Sequence, residues 1–182
     1  DEIGNVYGRL EGTKYPDETI ATGSHIDTVV NGGKLDGQLG IIGGMLAIRN
    51  LARKYGMPKR NLEVISMAGE EGSRFPFVYW GSKNIFGLVN EKEVKNIKDS
   101  EGKSFVEEMR NCGFDFKKDN SGRDDIKAFV ELHIEQGNFL EIEKIPVGII
   151  TSIAGQRRYE VILKGESNHA GTTLMRYRRD TI

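Results

Sequence analysis

The feature that most constrains this 182-residue chain is where its three histidines fall. They stand in His25-Ile26-Asp27, in His133-Ile134-Glu135-Gln136-Gly137 and in Asn168-His169-Ala170-Gly171-Thr172-Thr173. Each motif is rich in carboxylate or amide side chains, and Asp36 and the pair Glu70-Glu71 lie between the first two. The first two motifs also close strand-like runs. Thr19 to Ser24 reads as a short buried strand delivering His25 and Asp27, and Lys127 to Glu135 as another carrying His133 near its end. Asn61 to Ala68 is a third strand, leading straight into Glu70-Glu71. Between them, apolar residues at Ile41, Ile42, Met45 and Leu46 predict an amphipathic helix over 38–55, ended near Gly56 with Pro58 just beyond.

Strands alternating with helices predict an α/β sandwich, in which ligands gather at the carboxyl ends of the strands. Ser104-x-x-Glu107 is a capping box that predicts a short helix with Phe105 and Met109 on one face. From Arg157 to Glu166, Tyr159, Val161 and Leu163 alternate with polar neighbours, the period of a half-solvated antiparallel strand. The change of pattern places a domain boundary near Ile153, giving a catalytic part over 1–153 and the start of a second domain over 154–182.

Composition removes several classes. Lys and Arg number 26 and Asp and Glu 27, so no global basic field recruits nucleic acid or anionic lipid. Arg157-Arg158 and Arg176 to Arg179 read as solvated strand ends. The longest apolar stretch, around Gly40 to Ile48, is too short to cross a bilayer. Cys112 is the only cysteine, which excludes an intrachain disulfide and a thiolate metal cluster, and suits a reducing cytoplasm. The chain opens at Asp1 without a signal-peptide pattern and stops soon after a motif, as expected of a piece of a longer protein.

The candidate chemistry is metal-assisted hydrolysis, which needs neutral imidazoles, carboxylates and an open position for water. His25 and His133 are the candidate nitrogen ligands. Asp27, two residues after His25, faces the same side of an extended segment and suits an acid that fixes the imidazole tautomer. Asp36 reads either as a turn or helix-cap aspartate or as a carboxylate shared by two metals. Glu70 and Glu71 project in opposite directions from a strand end, so Glu70 is assigned as general acid/base and Glu71 as metal ligand. The glycines from Gly37 to Gly44 fit neither nucleotide-binding fingerprint, and no Gly-x-Ser-x-Gly elbow occurs.

Taken in order, Gly23 to Val29, Asn31-Gly32-Gly33 through Asp36-Gly37, Glu70 to Phe75, His133 to Gly137 and Asn168 to Thr173 resemble one family. It is that of the dinuclear-metal amidohydrolases that cleave ureido and N-carbamoyl groups, relatives of zinc carboxypeptidases and aminoacylases. The resemblance implies a mixed-sheet catalytic domain of zinc-peptidase type with helices on both faces, followed by a small α+β lid domain that forms a homodimer. It implies two divalent metal ions, with zinc, manganese, cobalt or nickel all compatible with nitrogen and oxygen ligands. His25, Asp36 and His133 would hold one, and Asp36 would bridge to a second held by Glu71. A histidine that completes the second site in the family has no counterpart here. Gln136 would meet the ureido group of a small-molecule ureido or carbamoyl substrate, and His169 would stabilise the oxyanion. The arginine that receives the substrate carboxylate would lie beyond Ile182.

Phe75-Pro76, Tyr79-Trp80-Gly81-Ser82 and the stretch around Ile97-Lys98-Asp99 point within the family to the branch acting on a ureido-bearing product of purine breakdown. The N-carbamoyl-L-amino acid hydrolases share every metal motif and are its rival. A non-enzymatic alternative is a piece serving only as a dimerising or binding module. One departure stands out: relatives usually carry proline after Gly-Thr-Thr, where this chain has Leu174.

Overall fold

A computed structural model describes residues 1–181. The chain divides into two compact units, Asp1–Gly137 and Asn138–Ile182.

The first unit is built on a mixed four-stranded sheet of β1 (Val6–Leu10), β2 (Tyr15–His25), β3 (Arg60–Met67) and β4 (Ile126–Val130), in the order β1-β3-β2-β4. β1 runs antiparallel to β3, whereas β3 and β4 flank β2 in parallel. The parallel pairing of β2 with β3 needs a crossover, and α1 (Gln38–Tyr55) supplies it over the span that the apolar spacing predicts. Along β3 every second residue is buried, so Asn61, Glu63, Ile65 and Met67 share one face. Ala21, Ile65 and Met67 pack there with Ile85 of α2 (Trp80–Ile85). α1 covers the opposite face, where Gly44 lies against Thr22 and Val64.

The way α1 docks differs from the amphipathic stripe read from the sequence. Its buried residues are Gly40 and Gly44, while Ile42, Met45 and Leu46 remain exposed. A Cβ on Gly40 would come within 2.4 Å of the Leu132 carbonyl oxygen, so glycine allows the helix backbone to lie directly on the sheet. A second core gathers Ile3, Val89, Val94 and Met109 around Trp80, whose indole N–H donates to the Ile3 carbonyl at 3.1 Å. It takes in the helices α3 (Glu91–Val94) and α4 (Phe105–Asn111). The Ser104 hydroxyl caps α4 by accepting from the Glu107 N–H at 3.4 Å.

Two expected strands are corrected. β4 ends at Val130, so His133 stands on the loop beyond it rather than in the ladder. The chain leaves β2 there and passes over Gly40. Arg157 to Glu166 forms no ladder among the described residues; only Glu166 makes an isolated bridge, to Arg179. Alternation marks two faces, but a strand also needs a hydrogen-bonded neighbour, and Tyr159, Val161 and Leu163 stay exposed. The second unit contains α5 (Phe139–Ile142) and a 3-10 turn at Met175–Tyr177. Leu174 sits at φ −64°, a value that a proline ring would adopt without strain. No helix among the described residues is long and apolar enough to cross a membrane.

A charged cluster fixes β3 to the start of β4. Glu63 is 3% exposed and accepts from Arg123, with Arg9 3.8 Å from its other oxygen. Arg123 also holds Asp125 through Nε at 2.8 Å and Nη2 at 2.6 Å. That fork keeps the Asp125 carboxyl at about 2, below the ordinary carboxylate range. Arg123→Met removes the main partner of a buried charge and is expected to cost about 3 kcal/mol in urea unfolding at neutral pH. A depressed folded-state pKa gives stability that is complete above the unfolded value near 4 and is lost as pH falls toward 2. The gap between wild type and variant therefore narrows over that window.

Candidate metal centre

The parallel pairing of β2 with β4 sends both strands toward the same end of the sheet, where His25 ends β2 and the loop after β4 carries His133. His25 closes β2 and is 2% exposed. Its Nδ1 lies 2.8 Å from the backbone oxygen of Asp27. A carbonyl oxygen only accepts, so Nδ1 carries the proton and Nε2 presents a lone pair. His133 repeats the arrangement, with Nδ1 2.8 Å from the Ile134 carbonyl oxygen. Its Nε2 lies 3.3 Å from Oδ1 of Asp36.

Asp36 is 6% exposed and comes from the turn before α1. Its Oδ2 accepts the Gln136 amide at 2.9 Å, while the buried Oδ1 receives no hydrogen bond. Ligand atoms of His25, Asp36 and His133 all lie within 4.8 Å of one another. Three electron pairs thus converge, two from the buried His25 and Asp36 and one from the exposed His133. Leaving a buried carboxylate oxygen without a donor is costly, and a divalent cation relieves that cost. The donor set of two nitrogens and one oxygen fits such an ion. A second group, His25, Glu70 and Glu71, satisfies the same distance limit. Glu71 falls in this second group, beside His25 and Glu70.

Asp27 works differently from its expected role. Its carboxylate stays 3.9 Å from the His25 ring nitrogen, whereas its main-chain oxygen makes the close contact. The carboxylate instead accepts the backbone N–H groups of Glu70 at 3.1 Å and Glu71 at 2.9 Å. Asp27 thus ties two loops together and aims the glutamate pair. Glu70 and Glu71 follow the end of β3 in an irregular segment, not in the strand itself. The Glu70 carboxylate is 3.7 Å from Nε2 of His25. Burial raises its pKa above the ordinary value, His25 pulls it back, and the Glu71, Asp27 and Glu131 carboxylates raise it further.

These groups surround a cavity of about 200 Å³ lined by His25, Glu70, Glu71, Tyr79, His133 and Gln136 with Val78. Six of the eight residues singled out in the sequence are brought together in the first unit around this space or against it: His25, Asp36, Glu70, Glu71, His133 and Gln136. Asp27 supports them from behind. His169 belongs to the second unit, where its Nδ1 accepts the Gly171 N–H at 3.1 Å. Its neutral ring accordingly carries the proton on Nε2 and is a donor there.

Gly37 was missed as a site residue. At φ +84° it occupies the left-handed region, and a Cβ would fall 2.4 Å from the His25 backbone oxygen and 2.6 Å from its Nδ1. The position acts as a cradle for the imidazole. The Asp36-Gly37 pair immediately before a helix is the signal that could have found it.

The profile of Peptidase family M20/M25/M40 matches residues 21–176, and the chain belongs to that family. Among curated proteins it is 61% identical to the allantoate amidohydrolase of Escherichia coli and 55% identical to that of Bacillus subtilis. Each match covers all of this chain and 44% of the relative. It is also 39% identical to an N-carbamoyl-L-amino-acid amidohydrolase of Paenarthrobacter aurescens, over 45% of that protein. Among solved structures, an amidohydrolase/peptidase from Burkholderia cenocepacia superposes with a TM-score of 0.75 at 35% identity. That match covers 99% of this chain and 44% of the other. The chain thus spans less than half the length of the relatives it matches.

Proposed function

We propose that this chain is the metal-binding part of an allantoate amidohydrolase, which converts the terminal ureido group of allantoate into ammonia and carbon dioxide and leaves ureidoglycine. The convergence of His25 Nε2, His133 Nε2 and the donorless Asp36 Oδ1 supports the metal chemistry. The identities to the two allantoate amidohydrolases over the whole chain support the substrate. Two divalent ions, zinc or manganese with cobalt or nickel as alternatives, would be held by His25, Asp36 and His133 and, through Asp36 and Glu71, at a second position. When bound, such ions polarise a carbonyl and lower the pKa of water.

The chain's own groups handle the protons and the substrate. Glu70 takes a proton from the water that attacks the ureido carbonyl and delivers it to the departing nitrogen, which leaves as ammonia. The carbamate that remains loses carbon dioxide. His169, a donor through Nε2, stabilises the oxyanion from the lid domain. Gln136 faces the ureido group, and Asp27 holds Glu70 and Glu71 in place. In this reading residues 1–153 are catalytic, 154–182 open the lid, the lid forms a homodimer, and the enzyme works in the cytoplasm.

The N-carbamoyl-L-amino acid hydrolase reading keeps the same chemistry and is supported by lower identities, 39%, 35% and 40%, to three such enzymes. Ammonia release by the full-length, metal-reconstituted protein separates the two. Strong preference for allantoate over N-carbamoyl-L-amino acids is expected. The opposite preference overturns the substrate and leaves the metal site standing.

A further inference from the structure

Gln136 is proposed above to meet the substrate, and its amide nitrogen also engages one of the candidate ligands. Its Nε2 donates to Oδ2 of Asp36 at 2.9 Å, joining positions 100 residues apart. We infer that Gln136 is a positioning residue of the metal centre, whose amide sets the rotamer of Asp36 so that Oδ1 faces the two imidazoles. The inference rests on the metal reading above.

Three observations carry it. A carboxylate on a short side chain can turn either oxygen toward the histidines or away from them. Here Oδ2 takes a fixed donor, and the other oxygen is left facing His133 Nε2 at 3.3 Å without any hydrogen bond. The Gln136 backbone, moreover, stands at φ 57°, in the left-handed region that a residue with a long side chain seldom occupies. Such a conformation persists where surrounding contacts over-determine it, and functional sites are where it collects. Finally, the loop that presents His133 also presents Gln136. One short segment therefore supplies a ligand of its own and orients a ligand from the turn before α1. The amide is neutral, so it steers Asp36 without cancelling the charge that attracts a cation.

Partners that orient a ligand are typically worth 10–100-fold in metal affinity. The test is competition between the full-length protein and a fluorescent zinc chelator. Gln136→Ala is expected to bind zinc about 10- to 100-fold more weakly than wild type. Gln136→Glu should weaken it as well, by setting one carboxylate against another. Gln136→Asn tolerates the same backbone but is one methylene shorter, so it should resemble the alanine variant. Gln136→Gly relieves the backbone and serves as the check that lost amide, not lost folding, is responsible; its affinity should fall equally while its unfolding curve stays at the wild-type position. Wild-type zinc affinity in all four variants, with KM for the ureido substrate raised, would overturn the inference and leave Gln136 as a substrate contact only. Wild-type protein that takes up no zinc would overturn the metal reading itself, and this inference with it.

Discussion

Glu70→Gln in the full-length, metal-loaded protein is expected to lower kcat by about 10²- to 10⁴-fold, the range spanned by loss of a positioned general base. Metal content should stay at the wild-type level. The substitution keeps the shape and hydrogen-bonding reach of the side chain but removes its ability to accept a proton. The position suits the role on two counts. The carboxylate lies beside the ligand cluster, 3.7 Å from His25, without belonging to the His25–Asp36–His133 group. Burial and three neighbouring carboxylates also shift its pKa upward, in the direction a base working near neutrality requires. Turnover within a few-fold of wild type would mean that another group moves the proton. A parallel fall in bound metal would instead make Glu70 a ligand of the His25–Glu70–Glu71 group.

Gly37→Ala is expected to empty the first metal position, lowering its affinity by more than about 100-fold, beyond the range typical of indirect partners. The added Cβ would meet the His25 backbone oxygen at 2.4 Å, Nδ1 at 2.6 Å and Cε1 at 2.7 Å. Part of that contact is main chain of a central strand and cannot yield, so the turn carrying residue 37 must shift and the ring must turn as well. Rotation of the ring breaks the Nδ1 contact with the Asp27 oxygen and turns Nε2 away from Asp36. Metal analysis by mass spectrometry should find one ion fewer per chain than in wild type. Gly33→Ala is the control, because a Cβ there meets nothing within 4 Å. Equal metal content in the two variants would show that His25 has room the geometry denies.

The helix over 38–55 was legible because its punctuation is local: glycines stand at both ends and a proline soon after. The strands carrying His25 and leading to Glu70 were legible from β-branched and apolar residues set before turn residues, Thr19, Ile20 and Thr22 in one and Leu62, Val64 and Ile65 in the other. The His133 strand was drawn too long for a related reason. Ala128, Phe129, Val130, Leu132 and Ile134 continue the apolar run, while the point at which the chain leaves β2 depends on the approach of α1, far away in sequence. The expected strand at 157–166 failed because alternation describes side chains only, and a ladder needs a second backbone. The identities of the site residues were legible from their types and order. Their couplings were not. His-x-Asp suggests a carboxylate on an imidazole, but the main-chain oxygen of Asp27 takes that contact and the carboxylate goes to two N–H groups forty-three and forty-four residues away.

The pairing of β2 with β4 has a further consequence for how the protein acquires its site. Ser24 bonds Glu131 across 107 residues of sequence, and Asp36 bonds Gln136 across 100. Contacts of such separation close large loops, which costs chain entropy before the contact forms. In the unfolded chain His25 and His133 are no nearer than any two distant residues, so a cation finds no pair of them to grip. The sheet must assemble before the ligands meet. A cation would therefore meet these ligands only at the carboxyl ends of an assembled sheet, unlike the metal of a small finger domain that organises its own fold.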